Sequence, residues 1–226
     1  GKQFKDIIEL GLGTALGSEG AAEFVGNFNN LGYSIDKTLE FTKYVRGKAM
    51  AINLNQSKVL NSINKTTVAL TGFGITSGLK GLTSLVLKAE KMRFDVAKSV
   101  DNFADAFKDP EKAVELAGKM KLLGGKFAYY FGDPFVLLSK SILEPEQLTA
   151  DLIESLKDKA FKGKNGFEIS PEDRKIIKVA ANALGADSEE LFNVAIEQAK
   201  DLDKLKTMND RGIFEINLGD EKAELL

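Results

Sequence analysis

A chain of 226 residues with no histidine, cysteine or tryptophan is closed to several chemistries. There is no imidazole to act as a general base, no thiolate nucleophile, no Cys or His ligand for zinc or an iron–sulfur cluster, and no disulfide. The 31 basic and 33 acidic residues leave a formal charge of −2, so the basic excess that drives binding to phosphate backbones is missing, while 43% hydrophobic content suffices for a core.

The opening stretch, GKQFKDIIELGLGTALG, lacks an apolar signal core before a small-residue cleavage site, and no secretory signal is read there. Gly11, Gly13 and Gly17 invite comparison with a dinucleotide-binding turn. That fingerprint needs its third glycine where Leu16 stands, and it follows a buried strand that is not evident here. The N-terminal part, 1–108, is rich in Gly, Ala, Ser and Thr, and helices fit it best, with Ser18 and Ser34 as candidate caps. After Ser34, the series Ile35, Leu39, Thr42, Val45, Ala49 and Ile52 runs at steps of three and four, as one helix face requires.

Residues 66–87, TTVALTGFGITSGLKGLTSLVL, are about as long as a bilayer-crossing helix and carry one charge, Lys80. Their Thr, Ser and Gly content makes insertion marginal, so the segment reads either as a buried or bundled helix or as a conditionally membrane-active one. Gly74, Gly78 and Gly81 would give it a small-residue surface for helix packing or membrane contact. Gly72, Gly74 and Gly78 again miss the dinucleotide spacing, and no Gly-Lys-Ser/Thr run completes a phosphate loop, so no cofactor is expected. A longer helix is expected over 80–107. Near Asp109 the low-charge, Gly-rich part gives way to a more charged one, which sets an expected boundary between 1–108 and 109–226.

Each of the four prolines follows a residue that can cap a helix: Asp109-Pro110, Asp133-Pro134, Glu144-Pro145 and Ser170-Pro171. Proline suits the first helical position, and the preceding Asp or Ser can accept from the free first-turn amides; Glu144 is the weakest of the four. Behind these starts, Ala113, Leu116, Ala117, Met120 and Leu123 form one helical stripe, and Leu148, Leu152 and Leu156 another. From Ser170 a helix carrying Ile177, Ala180, Ala181 and Leu184 ends at Gly185. Asp187 then caps a second helix, with Glu190 as its capping partner, bearing Leu191, Val194, Ala195, Leu202 and Leu205. This predicts an αα-hairpin over 171–205. Two segments, 166–170 (GFEIS) and 212–217 (GIFEIN), have strand spacing instead, and they read as a two-stranded ribbon or as two extended linkers.

The densest apolar stretch, 119–138, holds Phe127, Tyr129, Tyr130, Phe131 and Phe135 around a Gly-Gly break. It is either a core corner between helices or an exposed partner-binding patch. Nothing singles out a carboxylate pair of the glycosidase kind, and the acids fall at helix starts and on polar faces. The expectation is a mainly α protein, an irregular multi-helix bundle with a small β-ribbon, and no catalytic, cofactor-binding or metal-binding residues.

Residues 116–127, LAGKMKLLGGKF, followed by Asp133, Pro134 and Phe135 in DPFVLL, resemble a pattern in the tape measure proteins of long-tailed bacteriophages. There a helix ending in Leu-Gly-Gly is followed by an Asp-Pro-Phe segment. The later GFEISPEDR (166–174) and AANALGADSEEL (180–191) are similar to elements that can follow in that family. The resemblance covers 110–205 and transfers no catalytic residue. It implies a structural virion protein in the tail lumen, present in multiple copies, contacting itself and tail tube or baseplate proteins. Such a protein acts in tail assembly and length determination and leaves on genome ejection, with the host membrane as a further contact. The chain is shorter than such proteins and lacks their long heptads, so it resembles one segment of a longer polypeptide. The alternatives are a helical protein-interaction module, including a cytoplasmic one, and a membrane-penetrating protein using 66–87.

Overall fold

The computed structural model describes residues 2–14, 16–107 and 109–210. Among them, twelve helices and one two-stranded sheet make the fold mainly α. The chain divides into two compact units. One holds the described residues up to Glu90 with Asp95–Asp101; the other holds Lys91–Phe94 with the described residues from Asn102 onward. The boundary expected at Asp109 falls within the second.

The first six helices are α1 (Lys2–Thr14), α2 (Gly17–Asn30), α3 (Ile35–Ala51), α4 (Gln56–Ala69), α5 (Gly78–Lys91) and α6 (Val96–Ala106). Leu10, Ala21 and Val25 form a cluster joined by Ile7, Ile35 and Leu39. Gly11 allows α1 to meet the start of α2, since a Cβ there would lie 2.5 Å from the Gly17 carbonyl oxygen. Gly11 therefore serves chain packing, while Gly17 supplies a left-handed φ of 73° where α2 begins. Phe28 stacks on Phe24 at 4.7 Å and tilts against Phe41 at 5.2 Å, joining α2 to α3. Ser34 caps α3 as expected, accepting from Lys37 N, and Thr42, Val45 and Ala49 are buried. Ser18 is not a cap: α2 starts one residue earlier, at Gly17, and Leu16 precedes it with no side-chain capping bond.

Two expectations for this part are corrected. The helix expected over 80–107 is two helices, because Arg93 takes a left-handed conformation (φ 56°) and Asp95 caps α6 by accepting from Lys98 N at 3.0 Å. Residues 66–87 do not form one helix either. They comprise the end of α4, a turn in which Gly72, Gly74 and Gly78 have φ of 97°, 80° and 69°, and most of α5. Glycine reaches that backbone region at little steric cost, and three such residues in succession end a helix. Among the described residues, no helix is long and apolar enough to cross a membrane.

One corner recurs along the chain. Gly32-Tyr33-Ser34, Asn53-Leu54-Asn55 and Arg93-Phe94-Asp95 each place a left-handed residue, then an apolar one, then a cap that accepts from the lysine amide three residues on. Tyr33 N donates to Phe28 O and Leu54 N to Ala49 O, closing the preceding helix in the Schellman manner. Gly185-Ala186-Asp187 repeats the scheme, with Ala186 N bonded to Ala181 O. Each corner terminates one helix and starts the next within three or four residues.

The second unit contains α7 (Pro110–Leu123), α8 (Gly125–Phe131), α9 (Pro134–Leu143), α10 (Pro145–Ser155), strands β1 (Phe161–Gly163) and β2 (Gly166–Glu168), α11 (Pro171–Leu184) and α12 (Ser188–Asp210). All four prolines open helices. Asp109, Asp133 and Ser170 accept first-turn amides, whereas Glu144 makes no capping bond. The αα-hairpin forms as α11 and α12 around left-handed Gly185, with Asp187 accepting from Glu189 N and Glu190 N. Among the described residues, β2 pairs antiparallel with β1, Lys162 opposite Phe167, with Lys164 and Asn165 between the strands, whereas the expected partner was 212–217. The ribbon's loop of two residues keeps the entropy of closure small, and Gly166 supplies the positive φ (123°) that follows the turn. Residues 212–217 lie outside the described residues.

Candidate functional site

The aromatic stretch occupies α8 and the start of α9. After α7, Gly124 (φ 71°, ψ −171°) and Gly125 (φ 54°) turn the chain sharply, in backbone regions that a side chain at Gly124 would strain. This turn orients α8 so that Phe127 and Phe131 enter the core; the Phe131 ring lies 6.3 Å from Phe103, which in turn stacks on Phe107. Tyr129 points outward, 80% exposed, with half-buried Tyr130 edge-on to it at 4.9 Å. Asp133 then caps α9 through Phe135 N and Val136 N, and Phe135 stands 81% exposed. The five expected contact residues thus divide: Phe127 and Phe131 are core, Tyr129 and Phe135 are surface, and Tyr130 lies between.

Helix α9 extends that surface beyond the expected residues. Phe135, Val136, Ser139, Ile142 and Leu143 all face solvent, with Ile142 61% and Leu143 59% exposed. Its inner face holds Leu137, Ser141 and Lys140, whose Nζ lies 2.5 Å from Oδ2 of Asp151, a buried carboxylate that also accepts from Gln147 Nε2 at 3.0 Å. The helix is therefore apolar on both faces, with its one lysine drawn to Asp151 and a row of large apolar side chains outward. A surface helix ordinarily turns polar side chains to solvent. Ile142 and Leu143 were missed because PFVLLSKSIL is apolar all round, and only the position of Asp151 on α10 decides which side Lys140 takes.

Beside this surface, Lys126 bonds Glu154 and Asp158, both at 3.3 Å. Burial works against its charge, but the two carboxylates outweigh that and hold its pKa above the ordinary lysine value. Burial, with the carboxylates of Glu154 and Asp151, pushes the Tyr130 phenol up as well. Both groups keep their protons at neutral pH, an arrangement suited to holding helices together.

The glycines expected to form a packing face do not share one. Gly74 and Gly78 lie in the turn before or at the start of α5 with left-handed φ, and at Gly81 a Cβ would lie 2.6 Å from Ser77 Cβ, in the turn preceding it. Among the described residues, no group of three or more Asp and Glu side chains is placed to hold a metal ion. No protein-family model matches the chain, and no curated protein or solved structure matches it significantly.

Proposed function

We propose that this protein works by contact, as a non-enzymatic structural component, and that its role is that of a tape-measure-like segment in the tail of a long-tailed bacteriophage. The observation that carries the contact reading is the row of large apolar side chains that α9 turns to solvent, joined by outward Tyr129 on α8. Large apolar side chains left in water gain stability when a partner covers them. The tail assignment rests on the resemblance over 110–205. Its earlier segments, LAGKMKLLGGKF and DPFVLL, fall on the turn from α7 into α8 and on the capped start of α9, which build this surface, while the later ones, 166–174 and 180–191, fall on β2, α11 and the start of α12.

Mass spectrometry of purified particles of the encoding phage, before and after triggered genome ejection, tests the role. Peptides of this chain are expected in full particles and lost from emptied ones. Their absence from full particles would remove the virion role and leave a helical binding module with a different partner.

A further inference from the structure

We propose that Asn165-Gly166, in the turn of the β1–β2 ribbon, is a self-modification site, at which the folded protein converts asparagine to aspartate and isoaspartate with water as the co-reactant. Asparagine is a thermally labile side chain, and it is most labile before glycine, where no side chain shields the following backbone nitrogen from its Cγ. Asn165-Gly166 is the single Asn-Gly pair in the sequence, and there is no Asp-Gly pair to compete with it. The other described asparagines lie in helices or at the corner between α3 and α4, and each precedes a residue that has a side chain. In a helix the backbone amides belong to the hydrogen-bond ladder, and a ψ of about −42° turns the following nitrogen away from Cγ.

The ribbon gives Asn165 the opposite setting. Lys164, Asn165 and Gly166 are exposed, and a Cβ placed on Gly166 would meet no atom within 4 Å, so water reaches the backbone there. Each strand has three residues, all exposed or half-buried, and the buried anchors, Ala160 and Ile169, lie just outside them. Opening the turn end of such a ribbon costs little, and it lets the Gly166 nitrogen swing onto Cγ of Asn165. The Gly166 amide gives its proton to hydroxide, its nitrogen bonds to Cγ, and the bond from Cγ to the side-chain nitrogen breaks. The leaving nitrogen takes a proton from water and departs as ammonia, and a succinimide ring remains. Water then adds at one of the two ring carbonyls. Opening at Cγ gives aspartate on the normal backbone, whereas opening at the main-chain carbonyl routes the chain through Cγ as isoaspartate, with one more backbone carbon. No atom changes oxidation state. The longer isoaspartate loop breaks the register that sets Gly163 opposite Gly166, and so loosens the ribbon beside α12, where Lys162 pairs with Asp203 at 2.8 Å.

The test is incubation of the full chain at physiological temperature and mildly alkaline pH, followed by tryptic digestion, since cleavage after Lys164 and Arg174 isolates 165–174 (NGFEISPEDR). That peptide should gain the mass of an amide-to-acid exchange and split into two chromatographic forms, isoaspartate in excess, while peptides holding the other asparagines stay unchanged. Conversion should quicken in proportion to hydroxide, and the folded chain should convert within about tenfold of the rate of the urea-unfolded one. Asn165→Gln, whose longer side chain closes the ring poorly, should abolish the mass gain in 165–174 with the ribbon intact. Hydrogen exchange over 161–168 should be unchanged in Asn165→Asp and faster in purified isoaspartate-bearing chains. A folded chain whose 165–174 peptide stays unmodified while the unfolded chain converts would overturn the site, because the turn would then shield the amide. Conversion spread evenly over the other asparagines would overturn it as well.

Discussion

In α1 to α5, buried polar side chains are mostly threonines that bond within their own helices. Thr14, Thr42, Thr66 and Thr83 donate to Leu10 O, Thr38 O, Ser62 O and Leu79 O, each four residues back, and Thr38 donates in the same way to Ser34 O at the cap of α3. In the second unit, which takes in Lys91 at the end of α5, the buried polar set includes charges that cross between elements. Lys140 meets Asp151, Lys91 meets buried Asp201 at 2.8 Å, and Gln198 Nε2 donates to Ile153 O at 2.7 Å. The first part has cross-helix links too, but between half-buried or exposed groups: Glu90 accepts from Ser62 and pairs with exposed Lys58 at 3.2 Å, Arg46 Nε donates to Gln56 Oε1 at 2.9 Å, and Asn27 Nδ2 donates to Asn64 Oδ1 at 2.9 Å. A back-bonded threonine is satisfied whatever its neighbour does, so these buried threonines place no demand on how the helices sit. A buried cross-helix charge is satisfied in one register, which favours a single arrangement and penalises its loss.

The largest effect that should separate the two regions is at Lys140. Lys140→Met removes the ionic partner of buried Asp151 while Gln147 still reaches it, and should cost about 3 kcal/mol in urea unfolding. Lys140→Met with Asp151→Leu should recover most of that loss, since an apolar pair leaves no buried charge. A double variant as unstable as the single one would mean that the destabilisation comes from lost packing and not from the charge. It would also weaken the account of why α9 turns its apolar side outward.

In the threonine-rich part the corresponding substitutions should do little or help. Thr67 is fully buried and its Oγ1 has no hydrogen-bond partner, so Thr67→Val should stabilise the protein by about 1 kcal/mol. Thr42→Val deletes a hydroxyl whose acceptor, Thr38 O, is a helical carbonyl, and should change stability by less than about 1 kcal/mol. Thermal melting of the two variants against the parent reads both. If Thr42→Val proved as costly as Lys140→Met, the contrast between the regions would fail.

How legible these regions were in the sequence follows from how local their determinants are. The starts at Pro110, Pro134, Pro145 and Pro171 were readable because a proline and its preceding residue carry the signal, and the weakness of Glu144 was readable from its longer side chain. The break at Arg93 was hidden, since Phe94 and Val96 continue an apolar pattern through it. Only comparison with Gly32-Tyr33-Ser34 and Asn53-Leu54-Asn55 exposes the shared corner. Phe131 and Phe135 are the same residue one helical turn apart in sequence, yet one is core and the other surface. Their separation depends on the turn at Gly132 and the cap at Asp133, and on which side of α9 Asp151 engages, none of which periodicity encodes.

The smallest effect concerns the entry to α11, where Asp173 accepts from Lys159 Nζ at 2.8 Å and from Ser170 Oγ at 2.9 Å, while its own amide donates to Ser170 Oγ at 3.0 Å. Burial raises the cost of its charge, but the Lys159 and Ser170 hydrogen bonds prevail and hold its carboxyl below the ordinary aspartate value. A carboxyl whose pKa is depressed by folding adds stability above its unfolded pKa, and that contribution is lost as pH falls through the folded value. Lys159 and Asp173 are both about a quarter exposed, so solvent screening keeps the effect under about 1 kcal/mol. The melting temperature of Asp173→Asn should therefore lie below that of the parent near neutral pH, and the two should converge as pH drops below the ordinary aspartate range. A gap that stays constant with pH would mean that Asp173 acts through its hydrogen-bond geometry, with its charge contributing nothing. In that case the difference between the two regions would lie in how their polar groups are shaped, with charge confined to the Lys140–Asp151 and Lys91–Asp201 pairs.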